Sequence, residues 1–444
     1  MAWAPPPPAL SAGNPASARQ ADFYVAPDGS DSNPGTRSQP WRTIQRAADS
    51  LLPGDTVYIR AGTFRERVLP LNSGSDAAHW ITYSAYPGEV VTIDGTGINV
   101  PADEGLIYIL QKSYIRMAGL QIVHSSYAGL LAEDSDHITI ENIRTYDTAS
   151  SGIGIWGGSH VLLAGNRVEQ AGSNGMQECI TVAGTGTFEV RDCEVLQCRK
   201  EGITAKDGAS NGKIWRNRVH HTDHVGIYVD GEFTYTFNIE VFQNTIHDIV
   251  YKDGITVATE AGGLVENVSI YNNLTYDNGF FGIGISACCP VAEHHPIRNV
   301  RILNNTVCRN GTSGWGGGIS IGENPDLEGI VVRNNIVSQN VSFQIAADAA
   351  VPPASLAVDH NLIDGYRDYE GETDGTDMVL GDPRFVNPAA ADFHLRPGSP
   401  AIGKGSSLLA PAQDHDGFPR PPASIDLGAL QFIPWRLFLS FVMR

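Results

Sequence analysis

Positive charge is scarce in this sequence. Its 444 residues hold 30 Lys and Arg against 49 Asp and Glu, a formal net charge of −19. That balance argues against nucleic-acid binding, which relies on basic patches. It also means that an anionic polymer approaches only where a local basic group or a bound cation offsets the repulsion. No apolar run reaches the roughly 18 residues of a membrane span. Cysteine is sparse, with six residues and no CxxC pair. Cys288, Cys289, His294, His295 and Cys308 lie close in sequence, but their spacing fits no common zinc pattern, so buried thiols or disulfides are expected. The first residues lack a basic segment followed by an apolar one, so they do not read as a signal peptide. Long stretches of helical periodicity are missing too. The one helical pattern, Trp41 to Leu52, is short and amphipathic and suits the end of a stack; Pro53-Gly54-Asp55 stops it.

Glycine is abundant, with 48 residues, as expected of many tight turns. Residues 1–20 are rich in Pro, Ala and Ser and are expected to form a disordered linker. Short strands follow at Phe23, Thr56, Trp80 and Val90. Asp28 to Gly35 is turn chemistry, read as a plain loop rather than a calcium loop.

From about Tyr114 the chain repeats. One motif, aliphatic-x-aliphatic-x-x-Asn-x-aliphatic, places Asn166, Asn217, Asn244, Asn273, Asn305, Asn335 and Asn361 at intervals of 24–32 residues once Cys193 fills one place. A second motif is a Gly-Ile strand at Gly152, Gly202, Gly226, Gly254 and Gly282, with Cys179 substituting once and Gly318 continuing the series. Short strands at this period, without helices between them, predict an all-β parallel β-helix with a short N-terminal capping helix. The asparagines are expected to form a ladder, each tolerating left-handed backbone at a bend and bonding to the next rung. About a dozen rungs at roughly 4.8 Å each predict a rod on the order of 60 Å. The helix is assigned to 21–380, its N-terminal cap to about 21–55, and a non-repeating C-terminal cap with an apolar tail to 381–444.

The chemistry gathers on a few Gly-Ile strands. Side chains alternate along a strand, so inward Ile203 and Ala205 leave Thr204 and Lys206 outward, and inward Ile227 and Val229 leave Tyr228 and Asp230 outward. Lys206 and Asp230 are expected side by side on one exposed face. Glu178, Glu201 and Asp253 precede their strands, and Asp207, Glu232 and Glu260 follow theirs. Trp156 offers a ring for stacking a sugar, and His220, His221, Asp223 and His224 lie in the turn before Tyr228. Two chemistries fit. In β-elimination from a uronic acid, Lys206 takes the proton beside the sugar carboxylate if its pKa falls, with Glu201, Asp207 and Asp230 around a calcium ion. Without the ion the acids raise that pKa and weaken the reading. In glycoside hydrolysis, Asp230 pairs with Glu201 or Asp253. A third reading is a non-catalytic carbohydrate-binding surface protein.

The segment Phe23-Tyr24-Val25-Ala26-Pro27-Asp28-Gly29, with Trp41 to Ala48, Pro53-Gly54-Asp55-Thr56-Val57-Tyr58 and Gly62-Thr63-Phe64, resembles the opening of secreted right-handed parallel β-helix enzymes. These include family 9 pectate lyases, chondroitinase-B-like lyases and β-helical glycosidases. Glu201-Gly202-Ile203-Thr204-Ala205-Lys206 is similar to the Asp-Gly-Phe-Ala-Ala-Lys segment of family 9 pectate lyases, with Glu in place of Asp. The resemblance implies a right-handed single-stranded β-helix, secretion and a polysaccharide substrate. It also implies Ca2+ as cofactor, Lys206 as base and Glu201 as a calcium ligand. The chondroitinase-like lyases carry an arginine one rung beyond the lysine, where this chain has Asp230. Tyr228 or His224 is assigned to assist protonation, with Trp156, Glu178, Asp253, His221 and Glu232 holding substrate. A monomer is expected.

Overall fold

The computed structural model describes residues 21–287 and 293–434. The expected linker at 1–20, Cys288 and Cys289, and the apolar tail from Trp435 lie outside the described residues. The chain winds into an all-β parallel solenoid whose three long sheets contain 14, 13 and 10 strands. Within each sheet every strand pairs in parallel with its counterpart in the next rung, as in Ile153↔Ile180 and Ile180↔Ile203. The coiling begins earlier than the repeat motif suggests. Asp22–Val25 already pairs in parallel with Thr56–Ile59, and Thr56–Ile59 with Ile81–Ala85. Longer turns conceal the period there. One short helix, Ile44–Ser50, packs Ile44, Ala47 and Ala48 against the core. Its start is tied down by Asp31, which accepts from the Arg42 and Thr43 N–H groups and the Thr43 hydroxyl, each at 2.9 Å. The Asp28–Gly35 loop thus anchors a helix.

Inward aliphatic side chains stack along the axis, because no rung can bury its apolar face alone. Asn217, Asn244, Asn273, Asn305, Asn335 and Asn361 form a buried ladder. Each Oδ1 from Asn244 onward accepts the backbone N–H and the amide of the preceding asparagine at 2.8–3.1 Å. The expectation of left-handed geometry at these asparagines is corrected: the residue before each one takes it. Arg216, Gln243, Asn272, Asn304, Asn334 and His360 have φ between 50° and 60°. This frees the ladder residue to aim its amide along the axis. A second buried ladder, unread in the sequence, runs from Asn278 through Asn310 and Asn340 to Gln344.

Beyond Val379–Leu380 the regular coiling gives way to an antiparallel pair, Phe385–Asn387 with Asp392–Leu395. The chain then turns back along the outside of the solenoid. Gln243 donates to Asp414 O (2.7 Å), Asn272 to Gln413 O (2.6 Å), and Asn304 to Asp426 O (3.0 Å). Asn334 exchanges bonds with Ser406.

Candidate functional site

The 10-stranded sheet carries the Gly-Ile strands. Ile203–Lys206 lies between Ile180–Ala183 and Ile227–Asp230, with Thr204 opposite Tyr228 and Ala205 opposite Val229. Lys206 and Asp230 follow in the same register, one rung apart. The predicted face therefore forms, but it is not open. Thr204, Tyr228 and Asp230 are all buried, Asp230 to 1% exposure. The turns that follow these strands wall the face: Ala261 N–H donates to Glu232 O at 2.9 Å, and Thr236 Oγ1 to Asp230 O at 2.7 Å.

Lys206 does not pair with Asp230. Its Nζ donates to Glu178 Oε1 at 2.9 Å, and Glu178 Oε2 accepts from Thr181, which bonds to Ser151. Burial alone would lower the Lys206 pKa, but the charge and hydrogen bond of Glu178, with Glu232 and Asp207 nearby, raise it. Lys206 is thus a held cation while these acids are unneutralised, the state anticipated for the ion-free site. Asp230 goes the other way. Burial, then repulsion from Glu260, Glu232 and Asp207, push it up to about 9, and its Oδ1 is buried without a hydrogen-bond partner. Burial and neighbouring acids also raise Glu232, although Lys206 opposes them. Tyr228 donates to Glu260 Oε1 at 2.8 Å, which brings that loop acid into the cluster.

Glu201 belongs to a different group. It lies before its strand and Asp207 after it, so a strand rising about 3.3 Å per residue keeps them apart. The two do not converge on one ion, because calcium–oxygen bonds are only about 2.3–2.6 Å. His224 Nδ1 lies 3.4 Å from Glu201 Oε1, and Lys200 Nζ lies 3.8 Å from Oε2. Burial opposes ionisation of Glu201, but the His224 hydrogen bond and Lys200 charge outweigh it and lower the pKa. Asp253 accepts from Thr256 (2.7 Å) and Phe281 N–H (3.0 Å); burial nevertheless pushes it up to about 6.

Two assigned residues lie away from Lys206. His221 packs against His220 and lines a separate cavity of about 380 Å³ with Gln197, Arg199 and Asp223. The turn after Arg218–His220 carries it off the Gly-Ile face, so a direct role beside Lys206 is not supported by the structure. Trp156 stands on the same sheet two rungs before Lys206, beside Tyr127 and Leu131. The sequence also gave no sign that Cys179 and Cys198 form a disulfide directly beside Glu178. Nineteen residues separate them, and only the rung register brings them together.

Oxygen donors of the right kind for calcium surround Asp230: its own unpartnered Oδ1 and the carboxylates of Asp207, Glu232 and Glu260. Such a negative excess favours a hard cation. Among the described residues, however, three potential ligand atoms come within 4.8 Å of one another only at Asp136, His137 and His160, on a different sheet.

Two family descriptions match the chain: "Pel9A-like, right handed beta helix region" over residues 23–173, and "Right handed beta helix region" over residues 105–265. The uncharacterized protein YwoF of Bacillus subtilis is 28% identical over 442 residues, covering 85% of this chain and 92% of YwoF. Pectate lyase PEL9 of Emericella nidulans is 33% identical over 208 residues, covering 44% of this chain and 46% of PEL9. Among solved structures, pectate lyase Pel9A superposes with a TM-score of 0.55 at 15% identity, covering 94% of this chain and 97% of Pel9A, a likeness of fold. With the parallel solenoid described above, these matches show a right-handed parallel β-helix whose N-terminal part is similar to the Pel9A-like β-helix region.

Proposed function

We propose that this chain cleaves a uronate-containing polysaccharide by β-elimination on the outward face of the 10-stranded sheet. The observation that carries the reading is a single lysine, Lys206, set among Glu178, Asp207, Asp230 and Glu232 on that face. The name of the relative PEL9, a pectate lyase, supports the same chemistry. Glu178 orients the Lys206 amine, and the Thr181–Ser151 bonds orient Glu178. Lys206 takes the proton next to the sugar carboxylate once the surrounding negative charge is offset. Asp230, neutral near pH 7, gives a proton to the departing sugar oxygen. Calcium, held by Asp207, Glu232 or Glu260, would supply the positive charge that offsets these acids and the uronate carboxylate.

A second reading, glycoside hydrolysis, is favoured by the same Asp230. A buried carboxyl held protonated suits a general acid, with Asp207 on the same face as the second carboxylate.

The test is incubation with polygalacturonate, alginate and chondroitin, with calcium and with chelator. Elimination produces the ultraviolet absorbance of an unsaturated uronate, requires calcium and disappears in Lys206→Ala. New reducing ends without that absorbance, lost in Asp230→Asn, would replace elimination by hydrolysis. Neither signal on any glycan would leave a binding protein.

A further inference from the structure

The outward column that begins at Thr204 does not stop at the acid cluster. It continues through Tyr228, Thr256, Gly284 and Ser320 to Ala346. At its far end Ser320 and Ala346 border a cavity of about 560 Å³. Phe281, Trp315, Phe343 and Tyr369 line it with aromatic rings. The Phe343 ring lies 5.7 Å from that of Phe281 and 4.9 Å from that of Tyr369; the Trp315 ring lies 6.2 Å from both Phe343 and Tyr369.

Two levels of burial separate floor from walls. Phe343 is 1% exposed, and a Cβ on Gly317 would meet its ring at 2.4 Å, so glycine there makes room for the floor. Trp315 and Tyr369 are 43% and 37% exposed. Rings serving only to pack would be closed over; these two stand open beside a cavity. The Trp315 turn is built to present its ring. Gly314 and Gly316 take φ of 103° and 132°, values that suit glycine. Ser313 N–H bonds to Gly279 O (3.0 Å) and Ser342 N–H to Gly316 O (2.8 Å).

A concave site with aromatic walls and a few polar groups matches a sugar, whose C–H faces stack on rings while its hydroxyls seek polar partners. Ser320, Asp348 and Glu370 supply those partners. Among the described residues the charged groups in the lining are both acidic, with no Lys or Arg, which disfavours a sugar carrying a carboxylate. We propose that this aromatic cavity is a subsite for a neutral sugar unit. Four strand steps of roughly 4.8 Å separate Thr204 from Ser320, placing the cavity roughly 19 Å along the rod from the rung of Lys206. Resting on the β-elimination reading, the substrate is then a heteropolymer with neutral units several sugars from the cut, or neutral branches, rather than a pure uronan.

Affinity electrophoresis of the full chain through gels containing galactan, arabinan, xylan, glucomannan or polygalacturonate tests this without needing turnover. At least one neutral polymer is expected to retard the protein. Trp315→Ala, and independently Tyr369→Ala, should weaken that binding about tenfold, while Lys206→Ala retains it. A second variant is included because either ring could also support its turn; the thermal midpoint of each variant reports folding. The subsite is overturned if no neutral polymer retards the protein, if polygalacturonate alone does, or if both well-folded variants bind like the parent. Loss of cleavage in Lys206→Ala with Trp315-dependent binding intact supports both proposals. Trp315-dependent binding without any elimination product keeps the subsite and discards the lyase.

Discussion

Asp230→Asn is expected to stabilise the protein near neutral pH. An ordinary aspartate in the unfolded chain titrates near 3.9, whereas Asp230 in the fold stays protonated up to about 9. Between those values the folded state binds more protons than the unfolded one. Stability therefore falls as pH rises through this window, and the loss begins above the unfolded value. At pH 7 the ceiling on that loss is about 4 kcal/mol, because the pH stands about three units above 3.9 at about 1.4 kcal/mol per unit. Glu232, Glu260 and Asp207 share the repulsion, so the recoverable part is smaller. Asparagine keeps the shape and removes the proton linkage. With an unfolding entropy of about 2.1 cal/mol/K per residue, a chain this long gains at most about 4–5 °C in Tm. Calorimetry in chelator at pH 4 and pH 7 measures it: the variant should melt higher than the parent at pH 7 and within about 1 °C of it at pH 4. Calcium should narrow the gap at pH 7, because a bound cation relieves the same repulsion in the parent. An equal difference at both pH values, or a variant that melts lower at pH 7, would refute the account of Asp230.

Other perturbations separate structural from chemical roles. Lys206→Ala should cut cleavage at least about 100-fold, and it should cost about 3–5 kcal/mol in urea unfolding because Glu178 loses its buried partner. Activity persisting in that variant would dismiss Lys206 as the base. Asn305→Ala removes a doubly bonded ladder rung and should lower stability by about 3 kcal/mol, whereas Asn299→Ala, which removes an exposed side-chain bond to Asn267 at a left-handed position (φ 53°), should cost only about 1 kcal/mol. Similar losses at the two positions would contradict the importance of burial. Removing the Cys179–Cys198 bridge by a double alanine substitution should cost about 3 kcal/mol, the scale for a loop of this length. An unchanged melting curve would show the coil alone holds those turns.

Rung architecture was legible because it is periodic: aliphatic residues two apart point inward, and each asparagine returns once per coil. The outward pairs Thr204–Tyr228 and Lys206–Asp230 followed from alternation alone. What alternation does not encode is depth and reach. Asp230 was expected on an exposed face, but the turns after the strands cover it. Lys206 was placed with the neighbour beside it, yet its long side chain reaches Glu178. Glu201 and Asp207 are near in sequence and sit at opposite ends of one extended strand. The left-handed residues escaped notice because their types vary (Arg216, Gln243, Asn272), whereas the ladder beside them is nearly uniform. The aromatic cavity draws on turns at 315, 343 and 369, whose adjacency depends on three different coil lengths.

The backward run of the C-terminal segment changes the mechanics of the whole stack. In a solenoid each coil touches only its neighbours, so it can unzip one coil at a time from an end. Here the carbonyls of Asp414, Gln413, Asp426 and Ser406 accept from Gln243, Asn272, Asn304 and Asn334, residues of four successive coils. The segment acts as a splint. Fraying at the C-terminal end must release the splint before the coils beneath can part, so those four coils share a single opening event. Hydrogen exchange should show them protected as one block, while the N-terminal coils open by smaller steps.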